Sequence, residues 1–178
     1  KDENELQHML WSALAYGHPA SVRFPKAKGL GVPMDKELRV LPLGKSELLR
    51  DGRDVLFAFG HMVQPALEAA ERLEKDGLSL AVVDARFVKP LDRDMILRFA
   101  GPGRAFVTLE EGVVDGGAGS AVRELLDREG RFDLRFKSIG LPAGLYPMGK
   151  TDEIRARIGL DVPGLVKQIG DFLKAPRS

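Results

Sequence analysis

A chain of 178 residues, 44% hydrophobic and 30% charged, is long enough to bury one full core. Its 27 basic and 26 acidic side chains leave a net charge of +1, which gives no overall case for a nucleic acid or an anionic membrane as partner. The absence of cysteine excludes disulfides and thiolate metal sites, and no apolar run approaches the ~18 residues of a membrane span.

The first segment predicts a helix and then a short strand. Asp2 or Asn4 is a suitable N-cap for a helix that runs to about Tyr16. Its apolar stripe consists of Leu6, Met9, Leu10, Ala13 and Leu14. Residues 19–25, with a proline at each end, have the composition of a strand. A helix and one strand are too little for a domain, so we interpret residues 1–25 as the remnant of a preceding α/β domain.

The next segment, residues 26–43, has no clear periodicity and contains two glycines and two prolines, which is typical of an interdomain linker. Residues 45–50 then resemble a strand, and Asp51-Gly52 is a strong hairpin signal. We therefore expect one antiparallel edge strand beside the first parallel strand. Because the chain begins with Lys1 rather than Met, we also expect it to be a piece of a longer chain.

The strongest pattern lies between Asp54 and Asp92. An apolar run at residues 55–59 is followed by an amphipathic helix that ends at Asp76-Gly77, and a second apolar run covers residues 78–83. Strand, helix and strand joined by short connections form a βαβ unit. Because both runs are apolar on nearly every residue, they predict a parallel sheet covered on both faces.

The rest of the chain repeats this alternation. The remaining predicted elements are a helix capped by Asp92, strands at 104–109 and 134–139, and helices at 121–128, 151–158 and 161–173. We predict an α/β fold with three layers for residues 42–173. Its five-stranded, mostly parallel sheet has one antiparallel edge strand and helices on both faces. The predicted core includes Val55, Phe57, Leu67, Ala70, Val82, Val83, Phe106, Val107 and Leu125.

Ligands favour the carboxyl ends of the strands in an open parallel sheet. That rule selects Gly60-His61, Asp84-Ala85-Arg86, Glu110-Glu111 and Gly140. Glu110 and Glu111 would suit an acid/base pair or a metal, but neighbours in a strand point to opposite faces, which favours solvated or ion-paired carboxylates. The glycines of Gly116–Gly119 precede a helix whose N-terminus would suit a phosphate. Acidic residues intervene between strand and glycines, so close packing of a loop is favoured.

Other candidates carry weaker signals. His8, His18 and His61 lack the spacing of a metal site. Arg86 is expected to pair with a carboxylate from another strand or another subunit. Three cationic residues surround Phe24-Pro25, and they would suit a phosphate or simply form a solvated linker. These three are Arg23, Lys26 and Lys28. The sequence therefore contains few candidate catalytic residues for an independent enzyme.

Several segments resemble 1-deoxy-D-xylulose-5-phosphate synthases, in order and with fitting gaps. The resembling segments are 84–92 (Asp-Ala-Arg-Phe-Val-Lys-Pro-Leu-Asp), 107–112, 116–120, 139–142 and 158–161. Residues 2–6 and 22–25 are similar to the end of that family's middle domain. The Arg-Phe-Val-Lys-Pro-Leu-Asp run is specific, because the wider transketolase and 2-oxoacid dehydrogenase class shares only pieces of it.

Enzymes of the resembled family condense pyruvate with glyceraldehyde 3-phosphate and release CO2, for isoprenoid, thiamine and pyridoxal synthesis. Thiamine diphosphate and magnesium carry that chemistry. The resemblance implies that residues 1–25 end the pyrimidine-binding domain, that residues 26–43 are a linker, and that residues 44–178 form the transketolase C-terminal-like domain. It implies a homodimer in the cytoplasm, or in the plastid stroma of a plant.

The same resemblance implies that this piece holds no cofactor site and no catalytic residue, and that it is inactive alone. Its role would be dimerisation and shaping of the substrate entrance. The family commonly has Arg-Tyr-Pro-Arg-Gly where this chain has Arg23-Phe24-Pro25-Lys26-Ala27, and the family's second arginine grips the aldehyde phosphate. Lys26 is therefore the implied phosphate ligand, although lysine lacks the bidentate fork. Ala27 replaces a glycine.

Two alternatives remain open at this point. One is the C-terminal domain of a transketolase or of a 2-oxoacid dehydrogenase E1 beta subunit. The other is a stand-alone interaction module without chemistry. A Gly-Asp-Gly magnesium motif and an activating glutamate encoded upstream would favour an enzyme over the module.

Overall fold

One mixed sheet flanked by helices forms the body of the molecule, which is described by a computed structural model for residues 1–26, 28–146 and 148–176. The strands are β1 (Glu47–Arg50), β2 (Asp54–Ala58), β3 (Leu80–Asp84), β4 (Ala105–Val113) and β5 (Arg135–Leu141). The helices are α1 (Glu3–Ala15), α2 (Val63–Glu74), α3 (Arg93–Phe99), α4 (Ala118–Arg128), α5 (Thr151–Ile158) and α6 (Val162–Lys174). A short 3-10 turn at Gly60–Met62 precedes α2. Within these described ranges, none of the helices has the length and apolar character of a membrane span.

The strand order is β1-β3-β2-β4-β5. The pairs β2–β3, β2–β4 and β4–β5 are parallel, whereas β1 runs antiparallel to β3 at the edge of the sheet. The predicted fold class is therefore confirmed. Asp92 and Asp161 cap α3 and α6 as predicted, since their carboxylates accept the N–H groups of Met95 and Gly164.

The predicted hairpin partner of the edge strand is wrong. β1 pairs with β3, with Glu47 opposite Asp84, because β2 already has β3 and β4 on its two sides. The Asp51-Gly52 segment crosses the start of β3 instead of making a tight turn. A Cβ on Gly52 would lie 2.8 Å from the carbonyl oxygen of Leu80 and would also contact the backbone nitrogen of Ala81. Only glycine fits this crossing.

Alternate residues of the buried strands fill two apolar layers. Leu56 and Ala58 of β2 pack with α2 and α6, whereas Val55 and Phe57 pack with α3 and α4 on the opposite face. This arrangement confirms that helices cover both faces of the parallel strands. The predicted core residues are buried with one exception, because Leu67 is half-buried at the margin of the α2 layer.

The N-terminal helix α1 begins after the predicted N-cap Asp2, but its buried face differs from the predicted apolar stripe. Glu5, His8 and Ser12 are buried, whereas Leu14 is 79% exposed. The segment that follows α1 wraps around this polar face: Ser12 Oγ accepts the N–H of Leu41 at 2.8 Å. Polar contacts, rather than apolar packing, hold α1 in place.

The predicted strand at residues 19–25 is absent from the structure, which gives no regular element to these residues. Prolines at both ends remove backbone donors from the segment. None of the described strands pairs with this segment. Residue 27, where alanine replaces the glycine of the resembled motif, lies outside the described residues.

Candidate functional site

The carboxyl ends of four parallel strands meet at one edge of the sheet, as predicted. This edge carries His61 after β2, Arg86 after β3, the Glu110-Glu111 pair within β4 and Gly140 within β5. The acidic pair belongs to the strand itself, because β4 continues to Val113 instead of ending at residue 109. The polar side chains at this edge separate into three arrangements.

The first arrangement surrounds Arg86. Its Nε donates to Oε1 of Glu5 at 2.7 Å and its Nη2 donates to Oε2 of Glu47 at 2.6 Å, so the guanidinium joins α1 to β1. Its backbone N–H donates to Oδ1 of Asp84 at 3.1 Å. The backbone φ of Arg86 is +55°, a conformation that is rare outside glycine. The expected pairing of Arg86 with a carboxylate from another strand is thus present, and Glu5 is a second partner.

Asp84 is completely buried beside this cluster. Its Oδ2 has no hydrogen-bond partner among the described residues, and its nearest cations are Lys1 Nζ at 3.6 Å and Arg86 Nε at 3.9 Å. Burial, together with the negative charge of Glu5, raises the pKa of Asp84 to about 7. Burial also opposes ionisation of Glu5. Hydrogen bonds and positive charge from Lys1 nevertheless hold the pKa of Glu5 below its usual value.

Three carboxylates at this place have the spacing of a metal site, since oxygens of Glu5, Glu47 and Asp84 lie within 4.8 Å of one another. Cations of the protein already neutralise them. The Lys1 side chain donates to Glu5 at 2.8 Å and to Glu47 at 3.3 Å, while Arg86 bonds to the same two residues. The cluster therefore acts as a charge network that fixes α1 to the sheet.

The second arrangement fills the N-terminus of α4. The buried carboxylate of Glu110 accepts the backbone N–H groups of Ala118 at 2.9 Å and Gly119 at 2.8 Å. A carboxylate of the chain thus occupies the position where a phosphate would bind. A Cβ on Gly119 would lie 2.5 Å from Oγ1 of Thr108 and 2.6 Å from Oγ of Ser138. Close packing is thus confirmed at Gly117 and Gly119, but the predicted loop is wrong in part, because α4 already begins at Ala118 and includes Gly119.

The third arrangement is a cleft of about 220 Å³ beside β4, β5 and α5. Its lining comprises Arg23, Glu111, Leu141, Thr151, Ile154, Arg155, Ile158 and Leu160. Arg155 Nε donates to Oε1 of Glu111 at 2.8 Å, and Arg155 Nη2 contacts Nδ1 of His61 at 2.9 Å. The cleft combines an aliphatic wall with charged groups at the carboxyl edge of the sheet.

The structure separates the predicted candidates. Arg23 lines the cleft, whereas Lys26 is exposed in the irregular segment between α1 and β1. His8 pairs with Asp35 at 2.8 Å on the buried polar face of α1. Arg155 carries no signal in the sequence, because it lies in a charged helix and only the tertiary structure places it beside β4.

Comparison with known proteins agrees with this fold. Residues 44–165 match the family described as transketolase, C-terminal domain. The chain is 48% identical over 98% of its length to 1-deoxy-D-xylulose-5-phosphate synthase 1 of Geobacter metallireducens. It is 50% identical over 95% of its length to synthase 2 of Geobacter sulfurreducens. It spans 28% and 27% of those two relatives.

A solved structure shares the architecture as well. It is a split-gene transketolase, described as an inactive tetramer of four beta subunits, and it superposes with a TM-score of 0.70 at 32% identity. The match covers 78% of this chain and 45% of the other. The similarity therefore extends to the mixed sheet with its covering helices, and not only to short motifs.

Proposed function

Because this chain belongs to the transketolase C-terminal domain family, we propose that it is the carboxyl-terminal part of a 1-deoxy-D-xylulose-5-phosphate synthase. One observation carries the proposal: the identity to such synthases extends over 175 residues, well beyond the residues 44–165 that the family as a whole shares. The additional identity includes α1 and the segment that follows it. A general transketolase-like domain would not be expected to share those parts.

The division of the chain follows from the same proposal. Residues 1–25 would end the pyrimidine-binding domain, and residues 44–178 would form the transketolase C-terminal-like domain. Residues 26–43 would be the linker between these two domains. Apolar side chains on α1 support a further packing partner for the first part, because Trp11 is 44% exposed and Leu14 is 79% exposed. That partner would be the preceding part of the same chain.

The proposed reaction condenses pyruvate with glyceraldehyde 3-phosphate and releases CO2. Thiamine diphosphate with Mg²⁺ supplies the carbanion chemistry in such an enzyme. The described residues do not fit that cofactor. The three clustered carboxylates are neutralised by Lys1 and Arg86, and the N-terminus of α4 is filled by Glu110. These contacts support a cofactor site in the part of the longer relatives that this chain does not cover.

The role left to this chain is to stabilise a homodimer and to shape the substrate entrance. Lys26 is the residue we propose for the aldehyde phosphate. It is exposed and only three positions from Arg23, which lines the cleft at the carboxyl edge. An ammonium group so placed would attract a phosphate without desolvation of its own charge.

Activity measurements on two proteins test the proposal. The complete gene product should form 1-deoxy-D-xylulose 5-phosphate from pyruvate and glyceraldehyde 3-phosphate, and it should bind thiamine diphosphate in calorimetry. The 178-residue chain should do neither, and sedimentation should show whether it dimerises by itself. Turnover or saturable coenzyme binding by the chain alone would refute the proposal.

A second candidate is a separately encoded half of a transketolase. The specific observation in its favour is the likeness to a split-gene transketolase subunit, which forms an inactive tetramer by itself. Donor and acceptor sugar phosphates would then replace pyruvate as substrates once a complementary subunit is added. Product analysis of the complete protein separates the two candidates, because only the synthase releases CO2 from pyruvate.

A further inference from the structure

The cleft beside α5 combines three features that a small anionic ligand would use. Its volume of about 220 Å³ leaves room for a small organic molecule. One wall is aliphatic and the other side carries two guanidinium groups. We propose that this cleft binds a small organic carboxylate with a branched aliphatic body. The proposal rests on the cleft alone and holds whichever enzyme the chain belongs to.

The charge at the cleft favours a single negative charge. Arg23 and Arg155 contribute two positive charges and Glu111 contributes one negative charge, which leaves +1 at neutral pH. The side chain of Arg155 is only 13% exposed, so water screens its field weakly. A monoanion is therefore matched, whereas a neutral ligand would leave the excess charge uncompensated.

The donors of Arg155 are held in place before a ligand arrives. Its Nε and Nη2 are engaged by Glu111, and Nη2 also contacts His61. A guanidinium has five N–H donors, so these described contacts leave further donors for a carboxylate. Because Glu111 and His61 fix the side chain, binding costs little conformational entropy. Arg23 is exposed at the rim of the cleft and adds a second cation.

The apolar wall sets the other half of the specificity. Leu141 ends β5, Ile154 and Ile158 lie one turn apart on α5, and Leu160 lies in the connection to α6. Small-molecule sites usually combine such a wall with a few polar groups that fix orientation. The volume is below the usual range for drug-sized ligands, which limits the occupant to a small molecule.

Binding of three probes to the 178-residue chain tests the proposal by methyl NMR titration. Isovalerate should saturate, with shifts confined to the methyl groups of Leu141, Ile154, Ile158 and Leu160. Isovaleramide has the same body without the charge, and acetate has the charge without the body. Each should bind about tenfold more weakly or worse. Equal affinity for isovalerate and isovaleramide, equal affinity for isovalerate and acetate, or shifts elsewhere would overturn the proposal.

Three variants identify the cation responsible. Arg155→Gln should weaken isovalerate binding by about tenfold or more, and Arg23→Gln should weaken it by a smaller factor because Arg23 is exposed. Arg53→Gln is the matched control, since Arg53 is exposed before β2 at the opposite end of the sheet, and it should leave binding unchanged. If Arg155→Gln fails to fold, Arg23→Gln decides: unchanged binding by that variant would overturn the proposed role of the paired cations.

Discussion

The Nε atom of Arg86 lies 2.7 Å from Oε1 of Glu5, although the two residues are 81 positions apart in the chain. Both side chains are almost completely buried, with exposed fractions of 9% and 5%. This ion pair and its partner Glu47 connect the first helix to the end of β3 and to the edge strand β1. The position of α1 on the sheet thus depends on charge pairing, because its fully buried residues are polar, whereas Leu10, Trp11 and Leu14 are exposed.

Removing the charge of Glu5 should release α1 locally. Glu5→Gln deprives Arg86 and Lys1 of a charged acceptor, and charged hydrogen bonds contribute about 1.5–3 kcal/mol each. Hydrogen–deuterium exchange should show faster exchange in α1 and unchanged protection in β2 and β4. Leu14→Ala, on the exposed side of α1, serves as control. Unchanged protection of α1 in the Glu5 variant would contradict the assignment.

The stability of the protein should fall as pH rises from 5 to 8. The folded pKa of Asp84, about 7, lies above its ordinary value of 3.8, so the folded state keeps a proton that the unfolded state has lost. Raising the pH removes this proton and lowers the free energy of unfolding by on the order of 2 kcal/mol over that window. The lowered pKa of Glu5 acts in the opposite direction, but only below the ordinary pKa of 4.5.

Urea unfolding at several pH values measures this effect. Asp84→Asn imitates the protonated form and should flatten the decline between pH 5 and 8. Asp51→Asn, on a side chain that is 76% exposed, should retain the decline of the natural sequence. A free energy of unfolding that rises through this window would contradict the raised pKa of Asp84.

The carboxylate of Glu110, which caps α4, should contribute more to the free energy of unfolding than an exposed glutamate on α4 does. In Glu110→Gln, an amide NH2 replaces one of the two oxygens that accept the N–H groups of Ala118 and Gly119. A buried donor then faces a backbone donor, which costs about 1–3 kcal/mol. Glu124→Gln, at 71% exposure on α4, is the control. Equal urea midpoints for the two variants would argue against a structural role of Glu110.

The crossing at Gly52 should tolerate no side chain. In Gly52→Ala the new Cβ would contact the backbone of Leu80 and Ala81 at the start of β3, and backbone atoms cannot move aside as a flexible side chain does. Overpacking of this kind costs about 1–3 kcal/mol or more. Gly101→Ala provides the comparison, because its Cβ would lie 3.5 Å from the Arg104 side chain. Thermal unfolding should show a large loss for the first variant and almost none for the second.

The phosphate role of Lys26 can be measured in the complete enzyme, if the proposed function holds. Lys26→Ala should raise the Michaelis constant for glyceraldehyde 3-phosphate by about tenfold, the value of one charged contact, and leave the constant for pyruvate nearly unchanged. Lys28→Ala removes a neighbouring exposed charge and should change neither constant. An unaltered aldehyde constant in Lys26→Ala would refute the role of this residue.

Local sequence patterns predicted most of the elements correctly because their causes are local. The helix α3 follows from a capping aspartate and an amphipathic run, and the strand β2 follows from a short apolar run stopped by glycine. The same local reasoning failed at residues 19–25, where strand composition occurs without a neighbouring strand. It also failed at Asp51-Gly52, where a hairpin sequence serves as a crossing.

The sequence by itself determined the alternation of strands and helices, the parallel character of the central strands, and the edge at which the polar groups collect. These features depend on periodicity and caps, which involve residues a few positions apart. Only the tertiary structure decided that β1 pairs with β3, that Glu110 fills the N-terminus of α4, and that Arg155 joins Glu111 and His61 in a cleft. Each of these contacts joins different elements of the fold. Which partner a strand or a charge finds therefore depends on the packing of the whole sheet, because side chains far apart in sequence meet only when the core has formed.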